Sequence, residues 1–320
     1  MVISSVVDEP KKTTCHNFCD KVIDITKIDK ESRSILKLGA PLALSEVSEA
    51  IFEAVTVALI SRNLGVNALT AYVVTNLLIG LSDTFINGVG DALNTVCSHA
   101  IGCENYKLAG QYVQIAMVLY FICAVPLFGM WWFMIDECLR LFGVNERVIS
   151  IGSEYTKVVI FHYLIAGIYG TFRSLLDVSG YAMYATIMDI GFQITELVVI
   201  WAFLATTDWM NLFWVGLIQA VVSSVCMILF LLCAYFKGWL QPYYGGLFKT
   251  FGLTNTPAVK YVLLTALPLS FGSLLEYGEV GLVFALYFNF MTTQFNFVLF
   301  IQCQITVGGT HIVGGSFRTS

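Results

Sequence analysis

The sequence predicts an all-α polytopic membrane protein, with a six-helix amino-terminal lobe and the start of a second lobe. Three observations carry this. Hydrophobic residues make up 57% of the 320 positions and Asp, Glu, Lys and Arg only 12%, about half of the roughly 25% usual for globular domains. So few charges cannot cover a soluble surface, and the mean hydropathy is +0.77. The apolar residues gather into runs of about twenty or more, the length needed to cross a bilayer.

In chain order, residues 1–34 form a polar arm, and residues 1–37 hold seven Lys/Arg and six Asp/Glu. This front lacks the uninterrupted short apolar core and small-residue cleavage site of a signal peptide, so the first spanning helix is expected to direct insertion. Seven spans follow, at 36–60, 68–97, 108–134, 147–171, 181–205, 210–236 and 258–290. The first six occupy the lobe at 35–236. The longest polar break, 237–257, reads as an inter-lobe loop, with Arg173 to Gly180 as another, shorter break. Residues 258–320 then hold the seventh helix and a partial eighth, Phe295 to Ile305, interrupted by Gln302 and Gln304.

With the amino terminus in the cytoplasm, that side receives twelve Lys/Arg, Lys107, Arg173, Lys237, Lys249 and Lys260 among them. The other side receives Arg62, Arg140, Arg147 and Lys157. Cytoplasmic loops carry the excess of basic residues, which sets the orientation; the membrane is that of the cell surface or of a vacuole-like compartment. The net charge of -5 offers no basic stripe for nucleic acid. Most of the nine Cys lie inside apolar runs as small packing residues, and Cys15-His16 with Cys19 lacks the second ligand pair of a zinc site. No cofactor or metal is expected.

Pro41-Leu-Ala-Leu-Ser-Glu-Val-Ser-Glu49 and Pro268-Leu-Ser-Phe-Gly-Ser-Leu-Leu-Glu276 overlay without gaps, each placing Glu eight residues after Pro. The second copy follows six spans, an even number, so both copies enter from the same face. Parallel repeats of that kind are a recurring transporter plan.

Charged residues inside spans oppose insertion by roughly 2.5–3.5 kcal/mol each when ionised and facing lipid, so those present must be neutral or turned inward. Glu46, Glu49 and Glu53 fall within about 60° of one another on the first helix. Asn76, Asp83, Asn87, Asp91 and Asn94 form a similar stripe on the second, and Asp189, Gln193 and Glu196 on the fifth. Glu276 and Glu279 lie one turn apart on the seventh. The functional reading is a wetted cavity whose carboxyls bind cations or protons; the structural one is hydrogen bonding between helices, worth about 0.6 kcal/mol per bond on average.

Gly88-Val89-Gly90-Asp91 spells the Gly-x-Gly-Asp of intramembrane aspartyl proteases, but the second aspartate and the Pro-Ala-Leu that such chemistry needs are missing. No enzyme is expected. The segment Ala92-Leu-Asn-Thr-Val-Cys-Ser-His-Ala-Ile-Gly-Cys103 instead resembles the Ala-Leu-x-Thr-x-x-x-Gln-Ala-x-Gly-Ala signature of multidrug and toxic compound extrusion (MATE) transporters. Leu64-Gly65, the prolines near the start of the first and seventh spans, and the long loop after the sixth fit as well.

The resemblance covers about 36–290. It implies a twelve-helix fold of two lobes that exports organic cations or related xenobiotics and metabolites by antiport with protons or sodium. It places Glu276, with Glu279 nearby, in proton coupling and cation binding, while Glu46, Glu49, Glu53, Asp83, Asp91, Asp189 and Glu196 line the substrate cavity. His99 stands for the signature's Gln and Cys103 for its second Ala, and the family's second seventh-helix glutamate would fall at Gly281.

Because helices nine to twelve are missing from this reading, the chain is expected to be an incomplete copy, its tail after about Asn289 not native to the family. Two alternatives follow: a non-transporting fragment that pairs with a full-length homologue, or a flippase of lipid-linked substrates. The flippase predicts a basic cavity, whereas these stripes are acidic.

Overall fold

The computed structural model describes residues 30–207 and 209–290, with the side chains of 30–38, 42 and 279–290 outside the description. Seven long helices run through the described residues: α1 Lys30–Leu64, α2 Val66–Gly102, α3 Tyr106–Leu141, α4 Glu146–Leu176, α5 Ala182–Thr206, α6 Leu212–Phe236 and α7 Thr256–Phe290. Each contains one of the seven expected spans, apart from the opening residues of the fifth and sixth. Most of the expected amino-terminal arm and the expected partial eighth helix lie outside the described residues.

By length and composition, Val66–Gly102, Tyr106–Leu141, the kinked stretch Glu146–Thr206, Leu212–Phe236 and Thr256–Gly278 are apolar enough to cross a membrane. The chain is an integral, multi-pass membrane protein. The helix α1 stands outside that group and carries Glu46, Glu49 and Glu53. At 1.5 Å per residue a 35-residue helix such as α1 is about 52 Å long, so the long helices tilt or project beyond a core of about 30 Å.

The helix starts have a common cause. A helix leaves its first N–H groups without intrahelical partners, and Asn is among the best residues for accepting from them. The Asn105 side chain accepts from Leu108 N at 3.1 Å, Asn145 from Val148 N at 2.9 Å and Asn211 from Trp214 N at 3.3 Å, opening α3, α4 and α6.

Two expected breaks differ in the structure. The helix α4 runs on through Arg173, continues as a π-helical turn over Asp177–Tyr181, and kinks at Gly180, whose φ of 85° favours glycine. The backbone stays helical through this polar stretch because Arg173 finds its partners inside the bundle. The inter-lobe loop is a second surprise. It contains two 3-10 turns, Gln241–Tyr243 and Gly252–Thr254, with a short helical turn at Tyr244–Leu247 between them.

That linker is docked on the start of α3. Gly110 and Gly246 let the two backbones touch, since a Cβ at Gly246 would collide with the Lys107 carbonyl and one at Gly110 would lie 2.6 Å from the Tyr243 carbonyl. Gln114 donates to the Leu247 carbonyl and accepts from Gly252 N at 2.7 Å, while Gln111 accepts from Asn255 Nδ2 at 3.0 Å. The sequence marks this segment as polar, but its order comes from partners on a helix more than a hundred residues away.

Two apolar clusters fill the bundle. One gathers Tyr72, Ile79, Phe128, Leu139, Tyr155 and Val215. The other joins Leu93, Tyr112 and Leu175 to Tyr243 and Leu247 of the linker and to Val262 and Ala266 of α7. The helix α7 crosses α2 antiparallel: Ser270 lies against Gly88, Phe271 against Phe85 with ring centroids 5.6 Å apart, and Tyr277 against Gly80. Gly88, the first glycine of the protease-like motif, therefore acts here as a helix-crossing point.

Candidate functional site

The polar residues of the expected cavity collect into two centres. The first lies where α1, α4 and α5 meet. Arg173 Nε is 2.7 Å from Asp189 Oδ2 and 3.9 Å from Asp177 Oδ2. The approach is an ion pair without a directed hydrogen bond from Nε. Arg173 Nη2 lies 3.1 Å from Ser45 Oγ, Ser45 donates to Asp189 Oδ2 at 3.4 Å, and the Tyr169 hydroxyl donates to Asp189 Oδ1.

Asp189 is buried, its side chain 8% exposed, and it has both a counter-charge and hydrogen-bond donors, the condition under which a buried charge is tolerated. Ser48 extends the network, with its Oγ 2.7 Å from the Ser45 carbonyl and 3.1 Å from Gln193 Oε1. Glu49 is exposed and lies within the electrostatic reach of Arg173, as well as of Glu46 and Glu53. Glu46 is partly buried on the same face of α1.

The second centre is built on two tyrosines. The rings of Tyr72 on α2 and Tyr155 on α4 lie 5.6 Å apart at 45°. The Tyr155 hydroxyl shares its proton between Asn76 Oδ1 at 3.3 Å and Gln219 Oε1 at 3.1 Å, and Gln219 Nε2 donates to Glu196 Oε1 at 3.1 Å. Both tyrosines feel Glu53 from α1 and Glu196 from α5, so the two glutamates converge on one aromatic pair. Asp189 and Glu196 are seven residues apart on α5, which separates the centres by about 10 Å along that helix.

The remaining candidates are dispersed. Asp83 accepts from Asn87 Nδ2 at 2.9 Å along its own helix, and Asp91 is exposed. Glu276 is exposed on α7, and the side chain of Glu279 lies outside the described residues. The structure thus brings Glu53 together with Glu196, and Asp189 together with Glu49.

Sequence reading missed the residues that organise these centres. A cation after an apolar run looks like a span end, so the sequence places Arg173 in a break between spans, and it singles out none of Tyr72, Tyr155 and Tyr169. One signal was available: Tyr169, Arg173 and Asp177 recur every four residues, which places all three on one side of a helix.

Comparison with known proteins agrees with this architecture. The family model described as MatE matches residues 41–202. Protein DETOXIFICATION 16 of Arabidopsis thaliana is 22% identical over 152 residues, 48% of this chain and 31% of its own length. A probable multidrug resistance protein of Bacillus subtilis, YoeA, is 25% identical over 148 residues, 46% of this chain and 32% of its own. These matches span about a third of the relatives' lengths. The fold is similar to the crystal structure of the eukaryotic MATE transporter AtDTX14, with a TM-score of 0.72 and 13% identity over 81% of this chain and 56% of that one. With half of its residues matched by the family model and its helices arranged as in a MATE transporter, the chain belongs to the MatE family.

Proposed function

We propose that the chain performs secondary transport of the MATE type, exporting small organic cations or related xenobiotics and metabolites by antiport with protons, sodium being the other candidate ion. In this proposal Glu276 and Glu279 couple transport to the ion. Glu46, Glu49, Glu53, Asp83, Asp91, Asp189 and Glu196 line the substrate cavity. The amino terminus is cytoplasmic, and the membrane is that of the cell surface or a vacuole-like compartment.

The observation that carries the reading is the tyrosine-lined centre. Glu53 and Glu196 lie within electrostatic reach of Tyr72 and Tyr155 from two helices, and among the described residues Glu196 is held by the Gln219 amide rather than by a basic group. Such a carboxylate keeps a site for an exchangeable cation or proton, and aromatic faces add attraction for organic cations. The partly buried Arg173 does not make the cavity basic, because Asp189 balances it, and the acidic character favours cations over a lipid-linked anion.

The test is flux of a fluorescent organic cation in vesicles with an imposed pH gradient. Proton-driven flux is expected, with a loss of at least tenfold in Glu276→Gln and in Glu196→Gln. Unchanged flux in Glu276→Gln would remove that residue from coupling, and flux indifferent to the gradient would sink proton antiport.

A further inference from the structure

A separate cavity of about 240 Å³ opens between the ends of α1 and α5, lined by Leu59, Arg62, Asn63, Trp201 and Ala205. It faces away from the acidic centres. Arg62 is nine residues after Glu53, half a revolution around α1 at 100° per residue. The lining has one charged group at its rim and apolar walls behind it. Asn63 Nδ2 is already committed to the Leu59 carbonyl at 2.8 Å. Among the described residues Arg62 enters no ion pair, whereas Arg140 meets Glu137 and Glu146 and Arg173 meets Asp189.

Depth within the bilayer matches this polarity. Arg62 lies in the last turn of α1, at the polar edge, and Trp201, 57% exposed, lies about one and a half turns in from the end of α5. Trp and Arg favour this interfacial level. The volume falls below the roughly 300–1,000 Å³ of pockets that enclose a whole drug-sized ligand. It suits one end of a longer molecule whose remainder lies in the bilayer.

We propose that this cavity seats the phosphate head of an acidic glycerophospholipid, with Arg62 on the phosphate and Leu59, Trp201 and Ala205 against the glycerol and first acyl carbons. A guanidinium binds phosphate oxygens through paired N–H groups, and the apolar walls explain why the anion arrives attached to hydrocarbon. The site requires a bilayer but does not depend on transport.

The test uses the full chain in neutral detergent, titrated with phosphatidylglycerol, phosphatidylcholine or inorganic phosphate, with bound lipid counted by native mass spectrometry. One phosphatidylglycerol is expected to be retained per chain. Retention should weaken about fivefold in Arg62→Gln, the equivalent of one basic residue at an anionic surface, and recover in part in Arg62→Lys, which restores the charge but not the paired N–H groups. Leu59→Trp should abolish it by filling the cavity while leaving the charge. Brominated phosphatidylglycerol should quench less indole fluorescence in Trp201→Phe than in the parent. Equal retention of the two lipids, retention unaffected by Arg62→Gln or Leu59→Trp, or displacement by millimolar inorganic phosphate would overturn the proposal. Unfolding temperatures in the same micelles report any loss of fold, and Arg62→Lys keeps the result decisive.

Discussion

Arg173 on α4 holds Asp189 on α5 at 2.7 Å, with Ser45 of α1 within hydrogen-bonding distance of both. The neighbouring helices α4 and α5 are joined here to α1, more than a hundred residues upstream, around one ion pair. Removing either partner leaves the other charge inside the bundle without its counter-charge, a change that costs about 3–5 kcal/mol for a buried pair.

Arg173→Gln and Asp189→Asn are therefore each predicted to lower stability substantially, nearer 3 kcal/mol because the Arg173 side chain remains 22% exposed. The double variant Arg173→Met with Asp189→Leu should recover much of the loss, since apolar residues of similar size can replace a buried pair at little cost. Unfolding in detergent micelles checks this. A double variant as unstable as the sum of the singles would show that the two residues act independently.

The tyrosine-lined centre gives a milder expectation. Tyr155→Phe removes a hydroxyl shared between Asn76 and Gln219 but preserves the ring against Tyr72. Hydrogen bonds between membrane helices average about 0.6 kcal/mol, so the predicted loss is roughly 1 kcal/mol. Flux should fall further than stability does, because Gln219 is freed to reorient away from Glu196. A variant that transports like the parent while melting several degrees lower would assign Tyr155 to packing alone.

The seven described helices and their order are legible in the sequence because they follow from local composition, and the acid stripes on α1 and α5 because helical periodicity places them on one face. The same periodicity cannot say which stripes meet. Glu53 and Glu196 face one aromatic pair because α1 packs directly on α5 while α4 and α6 bring Tyr155 and Gln219 to the same place. The reading of Arg173 failed for a related reason: a cation at a span end and a cation paired inside the bundle have the same local sequence, and the difference is Asp189, sixteen residues away on another helix. The linker's order was hidden in the same way, since Gln111 and Gln114 look like ordinary polar residues at the start of a span.

The crossing of α2 and α7 yields a steric prediction. A Cβ at Gly88 would collide with the Ser270 backbone, which cannot give as a side-chain tip could. Gly88→Ala should cost about 1–3 kcal/mol as an overpacked contact, and Gly88→Val should separate the helices. Cysteines placed at Phe85 and Phe271, whose rings now touch, should cross-link in the parent background and fail to do so with Gly88→Val. Efficient cross-linking in that variant would rule out the crossing.

The linker makes the last prediction. Gln114 satisfies both the Leu247 carbonyl and the Gly252 N–H, so Gln114→Leu would leave two backbone groups without partners at the mouth of the bundle, each worth about 1–3 kcal/mol when buried. The linker has a cheaper alternative, which is to leave its dock and hydrate. The predicted outcome is therefore faster proteolysis between Lys237 and Pro257 with little change in global melting. Gly246→Val, which would drive a side chain into the Lys107 carbonyl, should produce the same cleavage by a different route. Equal protease resistance in the parent and both variants would show that the linker is held by something other than α3. Cleavage in Gly246→Val alone would locate the restraint in backbone contact rather than in the glutamine hydrogen bonds.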